Sequence, residues 1–153
     1  MSEYIKNIYS NSQSNTIGGK AFDGQWVDVY YELCYGVTFA ANKATTYSLA
    51  GKIPNDGYVY ECQFDCYIRT GTSSGNTAAC ILYSGTGIDG DTQIYVDMAT
   101  VRTRTSSNRA GGGYGVLPVF PDDQNVTYYN AGSGTSGNCG LYLRRYRRVG
   151  TNE

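Results

Sequence analysis

The most regular feature of the sequence is an alternation of two kinds of side chain along residues 58–69. One set of alternate positions is aromatic, aliphatic or thiol-bearing: Tyr58, Tyr60, Cys62, Phe64, Cys66 and Ile68. The other set is mostly polar: Val59, Glu61, Gln63, Asp65, Tyr67 and Arg69. A period of two is typical of a β-strand with one buried face, and a helix would mix the two sets. The run therefore predicts a long central strand with its aromatic and cysteine face in the core.

Further segments rich in β-branched and aromatic residues are separated by turn signals. They predict strands at residues 26–35, 44–49, 77–83, 92–104, 114–120, 125–131 and 140–149. Residues 111–115 are glycine-rich but lack the Lys-Ser/Thr ending of a phosphate-binding loop, so residues 106–113 are interpreted as a flexible loop. The pattern predicts an all-β fold, an eight-stranded antiparallel β-sandwich of the jelly-roll type, formed by residues 21–153.

The first 20 residues differ from the rest of the chain. Residues 10–16 are a polar, low-complexity run that has too little apolar surface to fold by itself. We interpret residues 1–20 as an extended anchoring arm that orders on a partner, and the alternative is a frayed terminus. The residues that would contact the partner are Tyr4, Ile5, Ile8 and Tyr9.

Charge and composition narrow the range of possible partners and reactions. The net charge of −1 provides no general attraction to nucleic acid or to an anionic membrane, and neither is expected as a partner. The chain contains no histidine, which removes the commonest general base and most catalytic zinc sites. We therefore predict a protein that is not an enzyme and has neither a cofactor nor a metal.

The cysteines number five, an odd count, and no secretory leader is predicted at the N-terminus. Reduced, buried thiols that act as small hydrophobic side chains are the preferred interpretation. A disulfide or a metal site is the alternative. Cys62 and Cys66 stand about 13 Å apart on one strand, too far to bond to each other.

Carboxylates offer two further alternatives. Glu61 paired with Asp65 or Glu32 could form a glycosidase site, but residues i and i+4 of a strand are about 13 Å apart, wider than the roughly 5–9 Å that such a pair needs. Asp89 and Asp91, or Asp122 with Asp123, could bind calcium. We prefer to interpret the first group as solvated charges and the second as turn formers.

Exposed aromatic rings predict a binding surface for a protein or a glycan, because a tyrosine ring is flat and apolar with a polar tip. The predicted residues are Trp26, Tyr30, Tyr67, Tyr128 and Tyr129. Ordinary sheet packing is the alternative.

The arginines of residues 144–148 predict an interface. On a regular strand Arg145 and Arg147 share one face, and Arg144, Tyr146 and Arg148 share the other. The acids that neutralise these charges by ion pairing belong either to a partner, which would put Arg145 and Arg147 in an interface, or to adjacent strands of the same chain.

The C-terminal residues 143–152 and residues 53–58, which lead into the central strand, resemble small virion proteins of tailed bacteriophages, in particular of the crAss-like gut phages. The resemblance implies a homotrimeric β-sandwich of the capsid-decoration, head-fibre or tail-appendage kind. It implies anchoring to capsid or fibre proteins by the N-terminal arm, and a virion location after synthesis in the host bacterial cytoplasm. The competing hypothesis is a carbohydrate-binding module, or a receptor-binding fibre tip that binds a host surface glycan.

Overall fold

The computed structural model describes residues 16–17, 20–21, 24–70, 77–89, 92–102, 110–134 and 136–151. In chain order the strands are β1 (Thr16–Ile17), β2 (Lys20–Ala21), β3 (Val27–Phe39), β4 (Ala44–Ser48), β5 (Tyr58–Thr70), β6 (Thr77–Ser84), β7 (Tyr95–Arg102), β8 (Ala110–Val119), β9 (Asn125–Asn130) and β10 (Ser136–Thr151). No helix in the described residues is long and apolar enough to cross a membrane. Tyr4, Ile5, Ile8 and Tyr9 lie outside the described residues, so the anchoring arm stays a prediction.

Eight of the strands form two four-stranded antiparallel sheets, and β1 pairs with β2. Sheet I has the order β3-β10-β5-β8, and sheet II has the order β4-β9-β6-β7. The chain passes between the sheets so that strands distant in sequence become neighbours, which is the strand order of a jelly roll with two Greek keys. The predicted antiparallel β-sandwich is therefore confirmed.

The core lies between the sheets and follows the predicted alternation of β5. Cys62, Phe64 and Ile68 are fully buried, while Glu61, Gln63, Asp65, Tyr67 and Arg69 are half-buried. Val59 is the exception, because it was predicted to point outward but is fully buried. Sheet II contributes an opposite layer of apolar side chains, among them Ala78, Leu82, Val126 and Tyr128. Tyr128 was predicted to bind a partner or a glycan, and this prediction is wrong because only 1% of the residue is exposed.

All five cysteines are buried and free, as the sequence predicted. The neighbouring Cys139 thiol lowers the pKa of Cys34 within sheet I, and the Cys80 thiol of sheet II lowers the pKa of Cys66. Burial raises the pKa of the Cys62 thiol, which keeps it neutral. The thiols therefore act as small core side chains.

The glycine-rich segment of residues 110–113 belongs to strand β8, so its interpretation as a loop is wrong. A Cβ at Gly113 would collide with the backbone carbonyl of Met98 in β7. A Cβ at Gly115 would stand 2.6 Å from the Met98 sulfur. The missing side chains let β7 of sheet II approach β8 of sheet I, so these glycines serve close packing and not flexibility.

We predict that Gly113→Ala destabilises the protein by about 2 kcal/mol, because a methyl group in a filled space forces the two backbones apart. Urea unfolding followed by circular dichroism measures the change. Thr100→Ala, at an exposed position of β7, is the matched control and should shift stability by less than about 0.5 kcal/mol. Equal stability of Gly113→Ala and the parent chain would contradict this packing role.

Candidate functional site

A β-bulge in β10 gathers three arginines on the outer face of sheet I. Leu143 pairs with Phe64 and Arg145 pairs with Gln63, so Arg144 is an extra residue in β10. The bulge shifts the alternation and turns Arg144 to the same side as Arg145 and Arg147. The prediction that Arg144 would share the opposite face with Tyr146 and Arg148 is therefore wrong for Arg144.

The other two residues keep their predicted side. The Tyr146 ring meets the ring of Tyr60, which is a core residue, at 5.6 Å between centroids. The Arg148 guanidinium lies 4.3 Å from the centroid of the Tyr58 ring. Tyr58 and Tyr60 belong to the inward set of β5, so the alternation of β10 is regular from Arg145 to Arg148, and a second register shift follows between Arg148 and Gly150.

Arg144, Arg145 and Arg147 of β10 form a row that we call the arginine ladder. Polar side chains of β5 form hydrogen bonds or ion pairs with these three arginines. Arg147 Nη2 lies 2.9 Å from Glu61 Oε2, and Arg145 Nε donates to Gln63 Oε1 at 2.6 Å. Arg144 Nη1 lies 3.7 Å from Asp65 Oδ2. The arginines thus pair with side chains of the adjacent strand in the same chain, which was the predicted alternative to pairing with acids of a partner protein.

Aromatic rings cover the arginine ladder on the β3 side. The guanidinium groups of Arg145 and Arg147 lie 4.5 and 4.8 Å from the centroid of the Trp26 ring. Arg144 lies 5.1 Å from the Tyr30 ring, which also stacks on Tyr142 at 5.7 Å. Each guanidinium is held by a cation–π contact together with an ion pair, for Arg144 and Arg147, or a hydrogen bond to Gln63, for Arg145. Trp26 is therefore part of this network and is not an open platform for a ligand.

Exposed tyrosines surround the arginine ladder. Tyr30, Tyr35 and Tyr114 are 62%, 65% and 69% exposed and stand on the edge strands β3 and β8 of sheet I. The predicted residue Tyr67 lies on the same face, half-buried on β5. Sequence reasoning missed Tyr35 and Tyr114. Tyr114 was missed because the glycine-rich segment beside it was interpreted as a loop. Its place in an alternating strand would have predicted an outward side chain.

The charges of this face balance. Its outward positions include the acids Asp28, Glu32, Glu61 and Asp65, and the arginines Arg69, Arg144, Arg145 and Arg147. Equal numbers of positive and negative side chains give the face no net field of either sign. Glu61 and Asp65, considered above as glycosidase acids, are both engaged with guanidinium groups here.

A separate tyrosine cluster occupies the outer face of sheet II. The Tyr83 ring lies 5.4 Å from that of Tyr95 and 6.4 Å from that of Tyr129, measured between centroids. The Tyr129 hydroxyl hydrogen-bonds to Asn42 Oδ1 at 3.3 Å. Tyr129 was predicted to act with Tyr30 and Tyr67, but the structure places it on the other sheet. Adjacent Tyr128 and Tyr129 separate because neighbouring residues of a strand point to opposite faces.

A cleft of about 370 Å³ opens at one end of the sandwich. It is lined by Ser84, Gly85, Thr92, Gln93, Ile94, Phe120, Asp122 and Asp123. The Asp123 carboxylate accepts hydrogen bonds from the Thr86 amide at 2.9 Å and the Thr86 hydroxyl at 3.0 Å and so links two loops, while the Asp123 amide donates to the Phe120 carbonyl at 3.2 Å in a turn. Among the described residues no group of three or more metal-ligating side chains occurs, and Asp91 lies outside them.

No protein-family model and no curated protein matches the chain. Solved structures with some similarity include the Drosophila NLP core, at 11% identity over 80% of this chain and 97% of that one, with a TM-score of 0.42. The VP2 subviral particle of infectious bursal disease virus matches at 13% identity over 90% of this chain and 42% of that one, also with a TM-score of 0.42.

A xylan-binding domain from Paenibacillus barcinonensis matches at 10% identity over 82% of this chain and 99% of that one, with a TM-score of 0.37. All three TM-scores are low, and these similarities carry no functional argument. The jelly-roll fold therefore rests on the strand pairings of this chain.

We predict that the Arg147–Glu61 pair has a coupling energy of about 1 kcal/mol, because both side chains are mostly buried, with exposures of 28% and 14%. A double-mutant cycle of Glu61→Gln and Arg147→Gln, measured by urea unfolding, tests this value. The matched control is the longer, more exposed Arg144–Asp65 pair, for which about 0.3 kcal/mol is expected. A larger coupling in the control pair would contradict the prediction.

Proposed function

We propose that the chain is a non-enzymatic structural protein of a tailed-bacteriophage virion. In this proposal it is a homotrimer of the capsid-decoration or head-fibre type, attached to capsid or fibre proteins by its N-terminal arm. The observation that carries the proposal is the outer face of sheet I, where exposed tyrosines surround a charge-balanced arginine ladder.

This face has the composition of a protein interface. Tyrosine and arginine are enriched in the centres of interfaces, and a cluster of exposed large side chains marks an interaction site. Tyr30, Tyr35 and Tyr114 supply the exposed rings, and Val116 of β8 is 39% exposed beside them. A second copy is the partner that we favour, because a face with balanced charges does not repel another copy of itself.

The arginines are also held in position before any partner binds. Arg145 and Arg147 are fixed by Gln63 and Glu61 on one side and by the Trp26 ring on the other. Side chains that are already ordered lose less conformational entropy on association than free ones do. The arginine ladder therefore favours a defined interface over nonspecific adhesion.

Trimeric assembly and the arm come from the resemblance to phage virion proteins, and the edges of the sheets support the proposal of assembly. Sheet I ends in the edge strands β3 and β8, and sheet II ends in β4 and β7. Edge strands that stay uncovered invite aggregation, and a closed ring of subunits covers some of them.

The solution mass tests the assembly. We expect light scattering coupled to size exclusion to give three times the chain mass of 16.7 kDa, both for the full chain and for a chain lacking residues 1–20. A trimer that survives the truncation leaves the arm free to bind another virion protein. A full-length trimer that becomes monomeric on truncation would place the assembly contacts in the arm, and monomers in both cases would contradict the proposal.

The interface itself is tested by substitution. We predict that Tyr35→Ser combined with Tyr114→Ser weakens self-association at least about tenfold, because exposed tyrosines dominate such interfaces. Sedimentation equilibrium measures the change. Tyr95→Ser, which removes a 56%-exposed tyrosine from sheet II, is the control and should leave the association unchanged. Equal effects in the two variants would contradict the assignment of the interface to sheet I.

A second candidate function is binding of a host surface glycan, compatible with the first if the protein stands at a fibre tip. The tyrosine cluster of sheet II favours it, because Tyr83, Tyr95 and Tyr129 form a contiguous aromatic surface. Trp26 and Tyr128, two of the residues predicted for glycan binding, are not available for it, since one is covered by arginines and the other is buried.

A further inference from the structure

We propose that the tyrosine cluster of sheet II (Tyr83, Tyr95 and Tyr129) and the adjoining end cleft form one binding site for a neutral glycan, an uncharged polymer of hexose or pentose units. This inference deepens the second candidate function and is independent of trimer formation. It names the residues of the site, its two parts and the chemical class of its ligand.

The tyrosine cluster supplies a stacking surface. Tyr129, Tyr83 and Tyr95 come from three adjacent strands, β9, β6 and β7, with Tyr83 in the middle. The ring centroids are 5.4 and 6.4 Å apart, so the rings are contiguous, and Tyr95 is 56% exposed. Aromatic faces pack against the apolar C–H face of a sugar ring, while phenolic hydroxyls at their rim exchange hydrogen bonds with sugar hydroxyls.

The surroundings of the cluster select an uncharged ligand. The neighbouring residue Thr46 is exposed, neutral and hydroxyl-bearing, and its hydroxyl oxygen lies 2.9 Å from that of the fully buried Thr127. Among the outward side chains of β4, β9, β6 and β7 that the structure describes, Asp97 is the one that carries charge. None of the described side chains of these four strands is a cation that could hold a sulfate, phosphate or uronate group, whereas the outer face of sheet I has several arginines.

The end cleft opens beside this surface, at the ends of the strands that carry Tyr83 and Tyr95. Ser84, the last residue of β6, and Ile94, just before β7, both line the cleft. The Ser84 hydroxyl donates to the Pro118 carbonyl of β8, so Ser84 turns to the inner side of sheet II and the cleft lies around the end of the strands. Its volume of about 370 Å³ lies in the range of small-molecule sites, which combine apolar walls with a few polar groups. Here Phe120 and Ile94 provide apolar wall, and the exposed Asp122 provides a carboxylate that can accept hydrogen bonds from sugar hydroxyls.

Hydrogen bonds within the connecting loops keep the cleft open. Gln93 Nε2 donates to the carbonyls of Ser84 and Gly87 at 2.6 and 2.9 Å, and Gln93 Oε1 accepts from the Asp89 amide at 2.8 Å. The carboxylate of Asp123, which lines the cleft, accepts hydrogen bonds from the amide and the hydroxyl of Thr86. A site that is ordered before binding costs less entropy when the ligand arrives. The geometry points to a glycan chain that lies over the tyrosine cluster with one unit in the cleft.

Affinity electrophoresis of the full-length protein tests the site, with gels that contain a neutral polysaccharide (β-glucan, xylan, mannan or galactomannan) or an acidic one (alginate or polygalacturonate). We expect retardation by at least one neutral polysaccharide and by neither acidic one. Tyr95→Ala should weaken binding about tenfold. Asp122→Asn, which tests the cleft, should weaken it about threefold by loss of a charged acceptor.

Tyr31→Ala is the matched control, because it removes a tyrosine that is 37% exposed from the opposite sheet and that belongs to neither the tyrosine cluster nor the exposed tyrosines of the proposed interface; it should leave retardation unchanged. Circular dichroism checks that each variant is folded. The inference is overturned if no neutral polysaccharide retards the parent protein, if acidic ones alone do, or if Tyr31→Ala is as harmful as Tyr95→Ala. A monomer that binds a neutral glycan through Tyr95 would support this site while contradicting the proposed trimer.

Discussion

The antiparallel pairing of β5 with β10 is the interaction on which the rest of the structure depends. β10 lies between β3 and β5, and β5 lies between β10 and β8, so these two strands form the middle of sheet I. Leu141 opposite Cys66 and Leu143 opposite Phe64 place apolar pairs in the core. Arg145 opposite Gln63 and Arg147 opposite Glu61 place polar pairs on the outer face. One register thus sets both the packing of the sandwich and the chemistry of its surface, since a slip of one residue would exchange the two faces.

The two outer faces of the sandwich have different chemistry. Sheet I presents arginines, acids and aromatic rings that are bound to one another, and its exposed tyrosines lie on the edge strands around them. Sheet II presents a tyrosine cluster among hydroxyl groups and carries little charge on its described outward side chains. The proposed assembly and the proposed glycan site require two surfaces that do not compete. The jelly roll supplies them, because its sheets turn opposite faces outward.

Local irregularities determined where sequence reasoning succeeded and where it failed. The alternation of β5 was read correctly from Tyr60 to Arg69, because the two faces differ strongly in polarity there, whereas the apolar Val59 was assigned to the outward face and is buried. The bulge at Arg144 was not foreseeable, since an extra residue leaves no mark in a run of charged side chains. The glycines of β8 were read as a loop because their role, room for the Met98 backbone and side chain, exists only when β7 packs against them. The adjacent Tyr128 and Tyr129 could not both be exposed on one strand, and the alternation rule applied to β9 would have separated them.

By itself the sequence determined the fold class, the central strand, the burial of the five thiols and the set of residue types available for binding. These follow from local periodicity and composition, which act over a few residues. Only the tertiary structure decided which aromatic rings are exposed, which acids meet the arginines, and that Tyr83, Tyr95 and Tyr129 lie together beside a cleft. The physical reason is that these groups come from strands far apart in the chain, and their proximity depends on strand order and register, which no local pattern encodes.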